Sequence, residues 1–156
     1  MKNIIRFALI STAFFSPFTV NTGFSQCKSK EIVKSSKTKL QPYKYSGAAV
    51  NDFIIDDKSK MIDIEFTVYE GQEYRLVFCP SLNLTQDIKI SIYDKRKNFK
   101  SRKLIFETSS KSENPLFFDP PKSGNYYIEY TIPANENPET KSEGCMVLMI
   151  GYQTKK

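Results

Sequence analysis

Apolar and polar residues alternate along much of the chain after residue 43, which is typical of β-strands with one buried and one solvated face. The clearest run is residues 62–68, where an apolar side chain occupies every second position. A similar run at 74–79 follows the turn residues Glu70 and Gly71, so these two runs predict a β-hairpin. The same pattern returns at 88–92 and at 126–132.

Shorter apolar stretches predict further strands. Residues 104–106 and 116–118 are short, and the prolines around the second stretch favour the edge of a sheet or a bend. Residues 145–152 are almost continuously apolar, which predicts a central strand covered on both faces. With 43–45 and 50–55 added, the pattern predicts seven to nine strands and no long helix. We therefore expect an all-β protein, an antiparallel β-sandwich.

The N-terminus has a different pattern. Lys2 and Arg6 accompany a mostly apolar run of 14 residues, 7–20, which is too short to span a bilayer. Small residues at positions 23 and 25 suit cleavage after residue 25. The sequence thus predicts a signal peptide at 1–25, an exported protein that is periplasmic or secreted, and no transmembrane span in the mature chain.

The remaining 131 residues have the size of one domain. Residues 26–42 are polar and rich in lysine, and they predict a basic flexible arm before a sandwich at 43–156. Without Lys2 and Arg6, the chain has 21 Lys and Arg against 17 Asp and Glu, a net charge of +4. This mild excess is not that of a nucleic-acid-binding protein.

Histidine is absent from the chain, and so is tryptophan. The lack of histidine removes the commonest general base and the commonest metal ligand, so we expect no enzyme, no cofactor and no metal site. Asp56 and Asp57 are better explained as turn residues than as calcium ligands. Asp63, Glu65 and Glu129 could form a carboxylate pair for glycoside hydrolysis, but the sequence does not define their separation.

Three cysteines remain in an oxidising compartment, where thiols tend to pair. Cys79 ends one apolar run and Cys145 begins another, so we expect a Cys79–Cys145 disulfide that leaves Cys27 over. An alternative for Cys27 is lipid attachment, which would make the protein an outer-membrane lipoprotein. Gln26 argues against this alternative because lipoprotein processing favours a small residue immediately before the cysteine.

Two surface features suggest ligand binding. A polar loop between predicted strands carries six cations in nine residues, which could bind a polyanion or could simply be a solvated loop. Tyr127 is out of phase with its apolar neighbours, so its ring could stack on a glycan or pair with side chains across a sheet. The six candidate anion-binding residues are Lys95, Arg96, Lys97, Lys100, Arg102 and Lys103.

Three segments together, 61–78, 88–94 and 122–130, resemble the bacterial pre-peptidase C-terminal type of jelly-roll domain. The similar features are the Gly71-Gln72 turn, the Tyr93-Asp94 pair at a strand end and the segment Ser123-Gly124-Asn125-Tyr126. The expected pairing of Cys79 with the Gly144-Cys145 strand also resembles small exported β-sandwich proteins of Gram-negative bacteria, a likeness that implies no activity. The resemblance to the pre-peptidase C-terminal type implies a jelly-roll-like fold and a secreted accessory or binding module.

The sequence predicts the general class of function and no particular reaction. We expect an exported, non-enzymatic binding or accessory module of the cell envelope, whose partner is an envelope or extracellular polyanion, a glycan or a secreted protein. The alternative is a structural or assembly component of the envelope, including the form anchored by lipid through Cys27. The ligand and the oligomeric state stay open.

Overall fold

Eight β-strands form two four-stranded antiparallel sheets in the structure, a computed structural model that describes residues 27–82, 84–113, 116–137 and 141–155. The predicted signal peptide at 1–25 lies outside the described residues. In chain order the elements are helix α1 (Ser29–Ser36), a 3₁₀ helix (Lys37–Leu40), β1 (Lys44–Ile55), β2 (Lys60–Val68), β3 (Gln72–Pro80), β4 (Lys89–Tyr93), β5 (Leu104–Ser109), β6 (Phe117–Phe118), β7 (Gly124–Ile132) and β8 (Ser142–Thr154).

The strand order is that of a jelly roll. Sheet A has the order β1-β8-β3-β6, and sheet B has the order β2-β7-β4-β5. The pairs β1 with β8, β2 with β7, β3 with β6 and β4 with β5 are those of one long antiparallel ribbon that has been rolled into a barrel-like sandwich. The predicted all-β antiparallel sandwich is confirmed, as is the edge position of the short strand at 117–118.

The predicted hairpin of β2 and β3 is wrong. β2 pairs with β7 in sheet B, whereas β3 lies between β8 and β6 in sheet A. The connection through Gly71, which has a φ of 78°, therefore crosses from one sheet to the other. Alternation shows that one face of each run is buried, but it does not identify the neighbouring strand.

The main core lies between the two sheets. On β7 the alternate residues Tyr126, Ile128, Tyr130 and Ile132 point inward and are at most 2% exposed. Across the core, the ring of Phe78 meets that of Tyr130 edge to face, with centroids 6.2 Å apart. The core face predicted for this strand is therefore confirmed.

A second apolar layer covers the outer face of sheet A. α1 and the 3₁₀ helix pack over the central strand β8, and Leu40 is almost fully buried. Gly151 permits this approach, because a Cβ there would lie 2.8 Å from Cβ of Tyr43 and 3.0 Å from Cδ2 of Leu40. The prediction of a central strand covered on both faces is confirmed. The buried members of this layer are Leu40, Val77, Cys79, Cys145, Val147 and Met149.

The prediction of a flexible arm at 26–42 is wrong for its described part. Residues 29–40 form two short helices, and Ile32 and Val33 turn toward sheet A. The eight residues of α1 are too few to show a helical stripe, and the lysines of the same segment obscure its apolar positions in the sequence pattern. Within the described ranges, no helix has the length and apolar character needed to cross a bilayer.

The predicted Cys79–Cys145 disulfide is also wrong. Cys27 bonds to Cys145 with a Cα–Cα distance of 5.9 Å, and Cys79 is a buried free thiol. In the β3–β8 register Cys79 faces Val147, so Cys145 is its diagonal neighbour. Diagonal neighbours on adjacent strands are about 7–8 Å apart, and cysteines whose Cα atoms are more than about 7 Å apart cannot be bridged without backbone movement. Burial raises the pKa of the Cys79 thiol, which therefore stays protonated.

The Cys27–Cys145 disulfide argues against the lipoprotein alternative, in which a lipid is attached to Cys27. Lipid attachment needs the Cys27 sulfur, and that sulfur is already bonded to Cys145. Lipid attachment and this disulfide cannot coexist on one chain. The structure thus favours a protein whose N-terminal segment is tied to its own β-sheet.

We predict that replacing Cys27 by Ser lowers the free energy of unfolding by about 2–5 kcal/mol, because the bond closes a loop across most of the chain. Chemical denaturation under oxidising conditions measures this change. Cys79→Ala is the matched control, because it removes a cysteine without breaking a bond. Peptide mapping without reduction should recover a 27–145 linked fragment, and a 79–145 fragment as the main species would contradict the assignment.

Candidate functional site

The cationic loop predicted from the sequence joins β4 to β5 and folds back over the outer face of sheet B. Its base is closed by two hydrogen bonds between Asp94 and Lys103. The backbone N of Asp94 donates to O of Lys103 at 3.2 Å, and the backbone N of Lys103 donates to Oδ1 of Asp94 at 2.7 Å. Inside it, the backbone N of Phe99 donates to O of Arg96 at 3.1 Å. The loop therefore has a defined shape that directs its side chains toward the sheet.

Both arginines of the loop are bound by carboxylates of sheet B. Nη2 of Arg96 lies 2.7 Å from Oε2 of Glu65, and Nη2 of Arg102 lies 2.8 Å from Oε1 of Glu129. The Arg102–Glu129 pair is buried, with side chains 14% and 6% exposed, and the guanidinium of Arg102 stacks 3.4 Å from the ring centroid of Tyr93. These two arginines hold the loop on the sheet and are not free for an anion.

The four lysines of the loop are in a different position. Nζ of Lys95 donates to Oγ of Ser101 at 2.7 Å, and Nζ of Lys97 lies 3.1 Å from the sulfur of Met61. Within the described ranges, no carboxylate lies within ion-pair distance of Lys95, Lys97, Lys100 or Lys103. The predicted six-residue cluster is thus divided into two structural arginines and four uncompensated lysines.

Tyr127 lies on the outer face of sheet B, next to this loop. Its hydroxyl donates to Oε1 of Glu65 at 3.3 Å, and the guanidinium of Arg96 lies 5.9 Å from its ring centroid. A small pocket of about 400 Å³ separates the sheet from the loop here. A sugar ring that stacked on Tyr127 would compete with Arg96 for the same face.

The carboxylates of this face are also placed by the sheet. Asp63 and Glu129 are direct neighbours across β2 and β7, and Ser91 and Glu107 continue the row on β4 and β5. Lys89 binds Glu107 with Nζ 2.9 Å from Oε2, and the hydrogen bond raises the pKa of that lysine. The sequence placed Glu129 on a solvated face, whereas the loop covers it and Arg102 balances its charge.

A larger concave surface lies at the opposite side of the sandwich, beneath α1. We call it the α1 groove, and it encloses about 1660 Å³ between α1, the first residues of β8 and the ends of β1 and β3. Its apolar lining includes Ile54, which is 44% exposed, and the fully exposed Leu82. Charged side chains of both signs lie at its margin: Lys28, Glu31, Lys39, Asp52, Lys60 and Glu143.

The disulfide forms one wall of the α1 groove. Asp52 lies close to the sulfurs of Cys27 and Cys145, with ligand atoms within 4.8 Å of one another. Because those two sulfurs are bonded together, they are not thiolates and do not offer a metal-ligand set. What the bond provides is a rigid position for the N-terminus of α1.

Sequence reasoning missed the α1 groove. Ile54 belongs to the predicted strand at 50–55, while Leu82 follows a strand in a polar segment. Two adjacent apolar residues in that predicted strand, Ile54 and Ile55, necessarily face opposite sides of a strand, and only Ile55 is buried. That adjacency is the one sequence signal of an exposed apolar position.

No family model matches the chain, the pre-peptidase C-terminal domain included, and no curated protein matches its sequence. Among solved structures, the chain is similar to Aeromonas hydrophila PliG, a periplasmic inhibitor of g-type lysozyme, with 13% identity and a TM-score of 0.42. The match covers 68% of this chain and 86% of that one.

We predict that Arg102→Ala lowers the free energy of unfolding by about 3–5 kcal/mol, because it leaves the Glu129 carboxylate buried without its cation. Chemical denaturation measures the loss. The double variant with Glu129→Gln should regain part of it, since the uncompensated charge is then gone. Arg96→Ala is the control, because it breaks the exposed ion pair with Glu65 and should lower the free energy of unfolding by about 1 kcal/mol or less. Equal losses for Arg102→Ala and Arg96→Ala would contradict the assigned role of the buried pair.

Proposed function

We propose that this protein is an exported, non-enzymatic binding module, which holds an apolar segment of a partner protein in the α1 groove. The observation that carries the proposal is the pair of exposed apolar side chains, Ile54 and Leu82, at a concave surface of about 1660 Å³. Concave, mostly apolar surfaces with a few polar groups are the usual form of binding sites. A structural or assembly component of the envelope is the alternative class.

Export is supported by the disulfide. Bonds of this kind form in oxidising compartments such as the periplasm and the extracellular space. The Cys27–Cys145 bond joins the first described residue to the central strand of sheet A, so the wall of the groove depends on it. The predicted signal peptide agrees with the same location.

The non-enzymatic part of the proposal is supported by the charged groups of the sheet B face. The chain has no histidine, and the two glutamates nearest the loop, Glu65 and Glu129, are bound by Arg96 and Arg102. Each of these two carboxylates already has an arginine as its ion-pair partner. This arrangement supports a structural role for the carboxylates that the sequence offered for glycoside hydrolysis.

Photocrosslinking tests the α1 groove. We expect a photoreactive p-benzoylphenylalanine in place of Leu82 to give a protein adduct in the cell envelope, and the same residue in place of Phe99 to give none. Phe99 is a suitable control because it is also exposed, at 53%, but lies on the β4–β5 loop. Adding Ile54→Asp to the protein with the photoreactive residue at position 82 should abolish the adduct while the melting temperature stays near its original value. Equal adducts at both positions would refute the groove as the binding site.

The lysines of the β4–β5 loop support a second candidate, binding of an envelope or extracellular polyanion. Lys95, Lys97, Lys100 and Lys103 are close together on a closed loop and make no described ion pair. Lysines of this kind attract polyanions mainly through screened electrostatics. Glycan stacking on Tyr127 would further require Arg96 to leave the ring.

Affinity chromatography on heparin at low salt tests the polyanion candidate. We expect the triple variant of Lys95, Lys97 and Lys100 to Ser to elute at lower salt than the triple variant of Lys30, Lys34 and Lys58 to Ser. Both variants lose three positive charges, so a difference between them reports the position of the charge and not its amount. Equal elution of the two would leave the loop as a solvated surface.

A further inference from the structure

β1 is a long strand at the open edge of sheet A. It spans 12 residues and pairs only with β8, so its second edge has no partner strand among the described residues. The other edge strand of sheet A, β6, has two residues. Unpaired edges of this length attract other strands unless charges, prolines or bulges protect them.

Protection of that kind is limited to the two ends of β1. The register with β8 shifts between Tyr45 and Gly47, and Nζ of Lys60 donates to O of Ile54 at 2.8 Å, whereas residues 48–51 carry no charge and no bulge. From Tyr45 to Asn51 there are seven residues without a charge, and Gly47, Ala48 and Ala49 at their centre are small. By contrast the edge strand β2 of sheet B carries Lys60, Asp63 and Glu65. On the outer face of β1, Val50 is 44% exposed even though its neighbour Val147 on β8 is buried.

Charges at the two ends of β1 have opposite signs. Lys44 begins the strand, and Nζ of Lys37 lies 5.1 Å from the ring centroid of Tyr45. At the other end, Ile54 lies opposite Glu143 of β8, and Asp52 and Asp57 supply two further carboxylates.

Three lysines also belong to that second end. Lys60 is bound to Asp56, with Nζ 2.6 Å from Oδ2. Lys58 is exposed in the same turn, and Lys141, just before β8, is close enough to Asp56 to interact with its charge. With the bound pair set aside, three carboxylates face two lysines, so this end stays acidic while the first end stays basic.

We propose that a second copy of this chain pairs with the open edge of β1, antiparallel and around a two-fold axis. A pairing centred on Val50 places each Val50 opposite the other and Ala48 opposite Asp52, with all of these side chains on the same face. The basic end of each strand then lies over the acidic end of its partner. The result is one eight-stranded sheet that runs through both copies.

The opposite charges at the two ends of β1 favour a second copy of this chain over other partners. A uniformly acidic or uniformly basic peptide would be attracted by one end of β1 and repelled by the other. An antiparallel copy satisfies both ends at once, which is the self-complementarity that a two-fold interface requires. The small residues near the axis also let the two backbones approach.

The inference goes beyond the proposed function. It uses the backbone edge of β1, whereas the proposed partner occupies the α1 groove on the outer face of sheet A, to whose lining the side chain of Val50 also contributes. A dimer formed in this way would present two such grooves.

Sedimentation of the exported protein, purified without a partner, tests the pairing. We expect a concentration-dependent dimer, and we expect Val50→Lys to raise the dimer dissociation constant about tenfold or more, because two lysines then lie opposite each other at the axis. Met61→Lys is the matched control: Met61 is also 44% exposed on the outer face of an edge strand, in sheet B. This control should leave the dimer intact.

Crosslinking gives a second measurement that does not depend on weakening the interface. Under mild oxidation, Val50→Cys should form a disulfide-linked dimer, and Met61→Cys should not. A wild-type protein that sediments as a monomer at every soluble concentration would overturn the proposal and leave the edge to a strand of another protein. Equal crosslinking at positions 50 and 61 would also overturn it.

Discussion

The structure depends on the burial of β8 on both faces. A strand with apolar residues on both sides needs a cover outside the sandwich as well as a core inside it. α1 and the 3₁₀ helix supply this cover, and the bond from Cys27 to Cys145 holds it in place. Without the cover, Val147 and Met149 would face water. The N-terminal segment is therefore part of the fold and not an appendage to it.

The incomplete extent of this cover explains the surface of the molecule. The helices protect β8 and β3 but reach only the start of β1, where Lys37 lies over Tyr45, so Val50 and Ile54 on the outer face of β1 stay exposed. The α1 groove results from this limited coverage, whereas the open edge of β1 results from its terminal place in the strand order of sheet A. The exposed apolar surface of the outer face thus arises from the way in which the central strand is shielded.

Local patterns predicted the strands well, because alternation reports burial directly. The inward face of β7 and the continuous apolar run of β8 could both be located from sequence alone. Pairing was harder: Cys79 and Cys145 each lie at a strand end, but only the β3–β8 register shows that they are diagonal neighbours. The hairpin of β2 and β3 failed for the same reason, since a rolled ribbon brings together strands that are distant in sequence. Non-local register is the information that periodicity does not contain.

The charged loop between β4 and β5 shows a related limit. Six cations in nine residues looked like one surface, yet two of them fold inward against carboxylates of other strands. A count of charges along the chain treats Arg102 and Lys100 alike, although one is buried against Glu129 and the other is exposed. Arginine suits the inward role because its planar guanidinium can pair with Glu129 while it stacks on Tyr93. Lysine does not combine these contacts in the same way. The division of the cluster therefore follows residue type, with arginines fastening the loop and lysines remaining for solvent or a ligand.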